Sequence, residues 1–204
     1  MSKQTILVTS LNIFAHFGIK SVSMSQVANS VRISKRTLYS YFNSKEELVG
    51  ACLDYEDENV SVMLRDLERQ TKNPVGRLVS LTKKINLYRA SYCPAFYKDI
   101  VCFHNANLKL NVICRRMRDQ LAACFNDGVE EGFFLPERNY EVIASILMEQ
   151  MILQSRGRIS VPHRSTAFFT FLRGLCTEKG LSVLGGMTPS EDEKYAYGYE
   201  YDFQ

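Results

Sequence analysis

The sequence predicts an all-helical chain, with a three-helix head at the amino end and a larger helical body behind it. Three observations carry this reading. Three helix-start signals crowd into residues 23–48, apolar residues recur at three- and four-residue intervals along most of the chain, and almost no stretch alternates as a strand would.

The first element is marked by Ile6, Leu7, Leu11, Phe14 and Ala15, which follow a helical period, and Gly18 stands where a left-handed cap would end it. Ser23 with Gln26 forms a capping box that opens a second, short helix, whose inner face is Met24, Val27, Ala28 and Val31. Ser34 caps a third. Its inward positions are Leu38 and Tyr41 or Phe42, leaving Lys35, Arg36, Thr37, Tyr39 and Ser40 on the outside. Ser44 and Glu47 make another capping box, opening a long helix through Leu48, Cys52 and Tyr55 to about Gln70. Lys45 lies in its first turn, where a cation opposes the helix dipole and calls for a partner such as a phosphate.

Two such short helices cannot bury enough apolar surface alone, so the first helix must complete their core. The result is a helix-turn-helix whose last helix is free to enter a DNA major groove, about 12 Å wide. Charge distribution agrees. Residues 1–50 hold Lys3, Lys20, Arg32, Lys35, Arg36 and Lys45 against Glu46 and Glu47, a balance of +4 in a chain of net charge +3. A basic block of this kind attracts phosphates without reading sequence. Lys35, Arg36 and Ser40 are assigned to base edges, and Thr37 to a thymine methyl or a phosphate. Ser23, Tyr39, Tyr41 and Lys45 are assigned to phosphates, and Ser34 is grouped with them at the mouth of the helix. Ser23 also reads as a simple cap, and Tyr41 equally as a core residue.

The run from Phe14 and Gly18 through Val27, Ala28, Ser34, Thr37-Leu38-Tyr39, Phe42 and Lys45-Glu46-Glu47-Leu48 resembles the TetR family of bacterial transcriptional regulators. The resemblance covers about the first quarter of the chain. The family's turn usually carries glycine where this sequence has Arg32, and often again at Arg36. Either Arg32 takes a strained left-handed conformation or the turn is rearranged.

Behind the head, Asn73-Pro74 breaks the long helix, and 75–91 reads as the next, with Val75, Leu78, Leu81 and Tyr88 inward. Pro94 opens a helix through Phe96, Tyr97, Ile100, Val101, Phe103 and His104, followed by another over 108–131 capped by Gly132. Leu135-Pro136 is a turn, and two more helices are predicted over 139–156 and 164–183. Those two are over-rich in apolar residues: Ile143, Ile146, Leu147, Met151, Phe168, Phe169, Leu172 and Leu175. A dimer interface is the simplest sink for the excess. The TetR resemblance implies the same: a homodimer joined by a four-helix bundle, reading a near-palindromic operator in double-stranded DNA. It also implies an effector pocket in the middle helices, where this chain offers Tyr55, Tyr88, Phe96, Tyr97, Phe103, His104 and Met117 to a small, largely apolar ligand.

The sequence thus divides into a DNA-binding domain over 1–47, an effector and dimerisation domain over 48–186, and an acidic, tyrosine-rich tail over 187–204 that reads as exposed. The leading functional reading is a homodimeric repressor released by its effector. The alternative is an architectural or division-control factor whose C-terminal domain docks a protein and takes no small inducer. An enzyme is not expected: His16, His104 and His163 fall far apart, and no nucleophile motif, phosphate loop or metal-ligand spacing occurs. No cofactor or metal is implied. The six cysteines contain no Cys-x-x-Cys pair and read as buried free thiols. No apolar run approaches the ~18 residues of a membrane span, and the first residues lack a secretory signal, which points to the cytoplasm.

Overall fold

The computed structural model describes residues 2–71, 73–154 and 161–187, with 151–154 and 161–166 by backbone alone. Ten helices occur among the described residues: α1 (Lys3–Phe17), α2 (Met24–Ser30), α3 (Lys35–Tyr41), α4 (Lys45–Gln70), α5 (Pro74–Ala90), α6 (Pro94–Ile100), α7 (His104–Glu130), α8 (Tyr140–Gln154), α9 (Val161–Arg173) and α10 (Glu178–Gly185). No strand is present among them, and one isolated bridge joins Phe134 to Cys176. The tail from 188 onward, where the sequence predicts an exposed segment, lies outside the described residues.

Two compact units form, one from Met1–Met63 with Ser91–Arg116, the other from Leu64–Ala90 with Met117–Gln204. The first is larger than the three-helix head read from the sequence over 1–47. Its added parts are bolted on by main-chain hydrogen bonds. The Cys93 N–H donates to the Ala15 carbonyl at 2.8 Å, and the Lys20 N–H donates to Asp99 Oδ2 at 2.7 Å. Asp99 is itself buried, so this N–H satisfies a carboxylate that would otherwise be costly. Gly18 permits the approach: a Cβ there would lie 2.8 Å from Ala95 Cβ. Its φ of +81° is positive as expected, but its ψ of 158° is extended rather than left-handed helical. Only glycine holds that conformation readily.

Within this unit α4 and α7 are laced by ions. Lys109 Nζ reaches Asp54 Oδ2 at 2.5 Å and the Gly50 carbonyl at 3.2 Å. Arg116 Nη1 reaches Asp57 Oδ1 at 2.7 Å and also donates to Ser61 Oγ. The Tyr92 hydroxyl donates to Glu56 Oε1 at 2.8 Å.

The second unit is organised around Phe125, stacked on Tyr140 at 4.8 Å and tilted against Phe134 at 5.0 Å. Gly128 leaves room for the Phe134 ring, which would stand 2.3 Å from any Cβ there. Two boundaries differ from the sequence reading. The helix opened by Pro94 stops at Ile100, because Cys102 and Phe103 turn back on the Asp99 and Ile100 carbonyls at 2.9 Å each, and α7 begins at His104 instead of 108. The helix predicted over 164–183 is two, α9 and α10. The chain between them pairs with 133–135: Leu135 N–H meets the Leu175 carbonyl at 2.9 Å and Thr177 N–H meets the Phe133 carbonyl at 3.0 Å. Thr177 then caps α10 by accepting from the Gly180 N–H.

The cysteines also differ in part from the expectation. Cys52, Cys124 and Cys176 are buried and free, and burial pushes the Cys124 thiol up to about 12 and Cys176 to about 11. Those thiols are inert. Cys102, by contrast, is exposed, because the early end of α6 leaves it on the α6–α7 turn.

Candidate nucleic-acid interface

The head is built on four hydroxyl caps, the first being Ser2, which accepts the Thr5 N–H at 3.2 Å ahead of α1. Ser23 accepts the Gln26 N–H at 3.2 Å while Gln26 Oε1 accepts the Ser23 N–H at 2.7 Å, a complete capping box. Ser34 accepts the Thr37 N–H at 3.0 Å and shares a hydroxyl contact with Thr37 at 2.8 Å. Ser44 accepts the Glu47 N–H at 3.0 Å, but the Glu47 carboxylate reaches one residue further than expected, to the Asn43 N–H at 2.7 Å. Leu38 and Phe42 are fully buried, as are Ile6, Phe14, Val27 and Ala28. They fix α3 against α1 and α2, so its remaining faces point to solvent.

The turn between α2 and α3 resolves the question posed by Arg32. Its φ is +56°. Ile33 N–H bonds to the Ala28 carbonyl and Arg32 N–H to the Asn29 carbonyl, both at 3.0 Å. That pair of bonds is a Schellman cap, with arginine in the left-handed position that glycine ordinarily takes. The strain is local, and it sets an exposed guanidinium three residues ahead of α3.

Lys35, Arg36, Thr37, Tyr39, Ser40 and Tyr41 all lie on the exposed side of α3. Tyr41 is 37% exposed, so its ring is outside the small core. Lys35 Nζ hovers over the Tyr39 ring at 5.9 Å. Ser40 donates back to the Thr37 carbonyl at 2.7 Å, and Ser23 and Ser34 are engaged as caps, but each hydroxyl keeps a lone pair at the surface. Lys45 departs from the simple picture of a surface cation. It is half-buried, with Nζ over the Phe103 ring at 6.0 Å, and burial lowers its pKa against the opposing pull of Asp99. Lys20 is exposed, and its contact with the Cys102 thiol, more than the nearby Asp99, raises its pKa. Arg32, Lys20 and Asp99 were not among the site residues read from the sequence. The positive φ at Arg32 was legible from the turn; Asp99 gave no local signal, because its partner is 79 residues away.

The profile described as "Bacterial regulatory proteins, tetR family" matches residues 6–52. The KstR2 transcriptional repressor of Mycobacterium tuberculosis is 23% identical over 180 residues, covering 82% of this chain and 89% of that protein. Residues 6–52 therefore form a DNA-binding head of the TetR family. Solved structures share its fold: a TetR-family regulator from Agrobacterium tumefaciens (TM-score 0.73, 18% identity, 85% of this chain and 97% of that one), and KstR2 itself (TM-score 0.60, 20% identity, 86% and 95%). A third, a transcriptional regulator from Saccharomonospora viridis in complex with choline, has a TM-score of 0.69 at 16% identity over 86% and 97%. The chain is a transcriptional regulator whose DNA-binding helix-turn-helix head is of the TetR type.

The residues expected to line an effector pocket are distributed over both units. Tyr55, Phe96, Tyr97, Phe103 and His104 belong to the first, Tyr88 and Met117 to the second. Phe96 is buried against Tyr92, with centroids 4.5 Å apart, and meets Tyr97 edge-on at 5.6 Å. Met117 is fully buried, Tyr55, Tyr88, Tyr97 and Phe103 are half-buried, and His104 is exposed at the start of α7. In the second unit an open groove runs between α7 and α8, with Arg118, Ala123, Val142, Ile146 and Glu149 among its walls; none of the seven expected residues lines it.

The apolar residues assigned to an interface sort by burial. Leu147, Leu172 and Leu175 are already buried within the chain, so they fill its core and have little surface left to offer a partner. Ile143, Phe168 and Phe169 are half-buried, and Ile146 is 45% exposed. The Met151 side chain lies outside the described residues, as does that of His163. Two residues the sequence reading passed over, Val142 and Phe171, are 51% and 38% exposed. Among the described residues no helix is long and apolar enough to cross a membrane, and no three His, Cys, Asp or Glu residues gather as metal ligands.

Proposed function

We propose that this protein is a homodimeric repressor that reads a near-palindromic operator through α3 and is released by a small, largely apolar effector. The observation that carries the DNA part is the outer face of α3 with its turn. Arg32, Lys35 and Arg36 fall within five positions, all are exposed, and among the described residues none has an ion-pair partner. Such cations gain most from phosphates and base edges, where each displaces a condensed counterion. Arg36 and Lys35 read base edges with Ser40; Thr37, Tyr39, Tyr41 and the cap hydroxyls of Ser23 and Ser34 set the docking register; Lys45 adds a phosphate contact from the mouth of α4.

Dimerisation is supported by α8, which is apolar on both sides. Tyr140, Ala144, Leu147 and Met148 turn inward, while Val142 and Ile146, one turn apart, remain exposed. An exposed apolar pair beside an already buried face loses its contact with water when a second copy covers it. Two heads one helical turn of DNA apart, about 34 Å, would match the symmetry of such an operator. For the effector, the support is the company the chain keeps: KstR2 is a ketosteroid transcriptional regulator, and the S. viridis regulator is in complex with choline. An effector that binds one spacing of the heads better than the other shifts the population accordingly.

The test is anisotropy or gel-shift titration against the promoter beside its own gene, at several salt concentrations. A steep loss of affinity with salt and a preference of at least about a thousandfold over random duplex are expected. Absence of any retarded species at low salt would remove the DNA reading.

A further inference from the structure

We propose that Lys3, on the first turn of α1, contacts DNA: its ammonium grips the phosphate strand that passes the C-terminal end of α3. This rests on the reading of α3 as the DNA-contacting helix, and it adds an anchor carried by a different helix. A rod of seven residues, about 10 Å long, lies in a groove about 12 Å wide with a sugar–phosphate strand on either side. Firm docking therefore calls for cations at both of its ends. Arg32, Lys35 and Arg36 gather at the N-terminal end and in the turn before it. Past Arg36 the helix holds only Thr37, Leu38, Tyr39, Ser40 and Tyr41, none of them a cation. Lys45, next along the chain, is half-buried over the Phe103 ring.

Lys3 supplies an exposed charge at that end. Its Nζ stands 5.4 Å from the ring centroid of Phe42, the residue that closes α3. The Phe42 ring is fixed in the core and lies 6.5 Å, by centroids, from the surface ring of Tyr41. A cation–π seat holds the ammonium beside the helix end and still leaves its N–H donors for oxygen acceptors. Among the described residues Lys3 has no ion-pair partner, whereas Lys109 and Arg116 each hold an aspartate. Ser2 and Thr5, exposed beside it, share a hydroxyl hydrogen bond of 2.8 Å and offer the polar groups that phosphate oxygens accept. A cation in the first turn of α1 also opposes the helix dipole, and no acidic residue in that turn offsets it. A phosphate brought to this spot is attracted by the ammonium and by the dipole together.

The experiment measures anisotropy of a labelled random duplex and of the promoter duplex over a range of salt, for the full chain and for Lys3→Gln, Lys3→Arg and Arg116→Ala. Lys3→Gln should bind both duplexes about five- to tenfold more weakly at low salt, and the slope of log affinity against log salt should fall by about one. Preference between the duplexes should not change, because phosphates carry no sequence. Lys3→Arg should restore both affinity and slope. Arg116→Ala, which removes a charge of the same sign from α7, should leave the slope where it was. Urea unfolding of Lys3→Gln separates a contact from a scaffold: a lower midpoint with an unchanged salt slope means that Lys3 only steadies Phe42, and overturns the proposal. So does an equal loss in Arg116→Ala, which would make the effect one of net charge. If Arg36→Ala weakens binding and Lys3→Gln does not, Lys3 is excluded while the reading of α3 stands; if the full chain retains no duplex at low salt, both fall.

Discussion

The cations of α3 and those of α7 differ in what surrounds them. On α7, Lys109 and Arg116 are tied to Asp54 and Asp57 of α4. On α3 and its turn, Arg32, Lys35 and Arg36 have no such partner among the described residues. Both sets lie on amphipathic helices, and composition alone does not tell them apart. The first set is structural, worth about 0–1 kcal/mol per exposed pair. The second set is exposed, and in the proposed function it meets the phosphates and base edges of DNA.

The largest expected effect is the one that breaks the platform beneath α3. Leu38→Ala empties a fully buried site and should destabilise the protein by roughly 2–5 kcal/mol, measured by urea unfolding, with loss of DNA binding alongside. Arg36→Ala should leave unfolding unchanged and cost about 1–3 kcal/mol of discrimination at one or two base pairs, read by anisotropy on operator against substituted duplexes. Equal losses on operator and random duplex would show that it contacts only phosphate. Lys45→Ala should weaken all duplexes alike and reduce the salt slope by roughly one. Because Lys45 also rests on Phe103, a small stability change is expected with it. Arg32→Gly should relieve the left-handed strain and raise stability by about 1 kcal/mol, visible as a higher Tm. It also removes a cation, so duplex binding should weaken while the fold strengthens. The smallest effect belongs to the α7 set: Arg116→Ala should lower stability by at most about 1 kcal/mol and leave the salt dependence of DNA binding where it was.

The pKa shift at Lys45 adds a pH test. Its folded value is lowered by burial, so the charged form is disfavoured in the free protein. The penalty is present below the folded pKa and is relieved as pH rises through it. Stability from this group therefore increases toward alkaline pH, and DNA, which favours the ammonium, should bind with proton uptake in that same range.

Local signals carried the head. Caps at Ser23, Ser34 and Ser44, the buried spacing of Val27, Ala28, Leu38 and Phe42, and the exposed residues of α3 all follow from interactions spanning four residues or fewer. The strained arginine was legible for the same reason. Boundaries farther along were not. A helix over 164–183 is a fair reading of periodicity, but pairing between 133–135 and 175–177 splits it at a cost no local pattern reveals. Interface and core were equally confounded: Ile146 and Leu147 are neighbours with the same hydrophobicity, yet one is 45% exposed and the other 7%.

What the sequence determined by itself, then, is the helical class, the helix-turn-helix and the chemistry on its outer face, because helix periodicity and capping are short-range. Tertiary structure alone decided that Asp99 clasps the α1–α2 loop, that Lys45 leans on Phe103, and which apolar residues of α8 and α9 are already spent in the core. Those depend on contacts between segments far apart in the chain, where burial and desolvation, rather than local propensity, choose each side chain's partner.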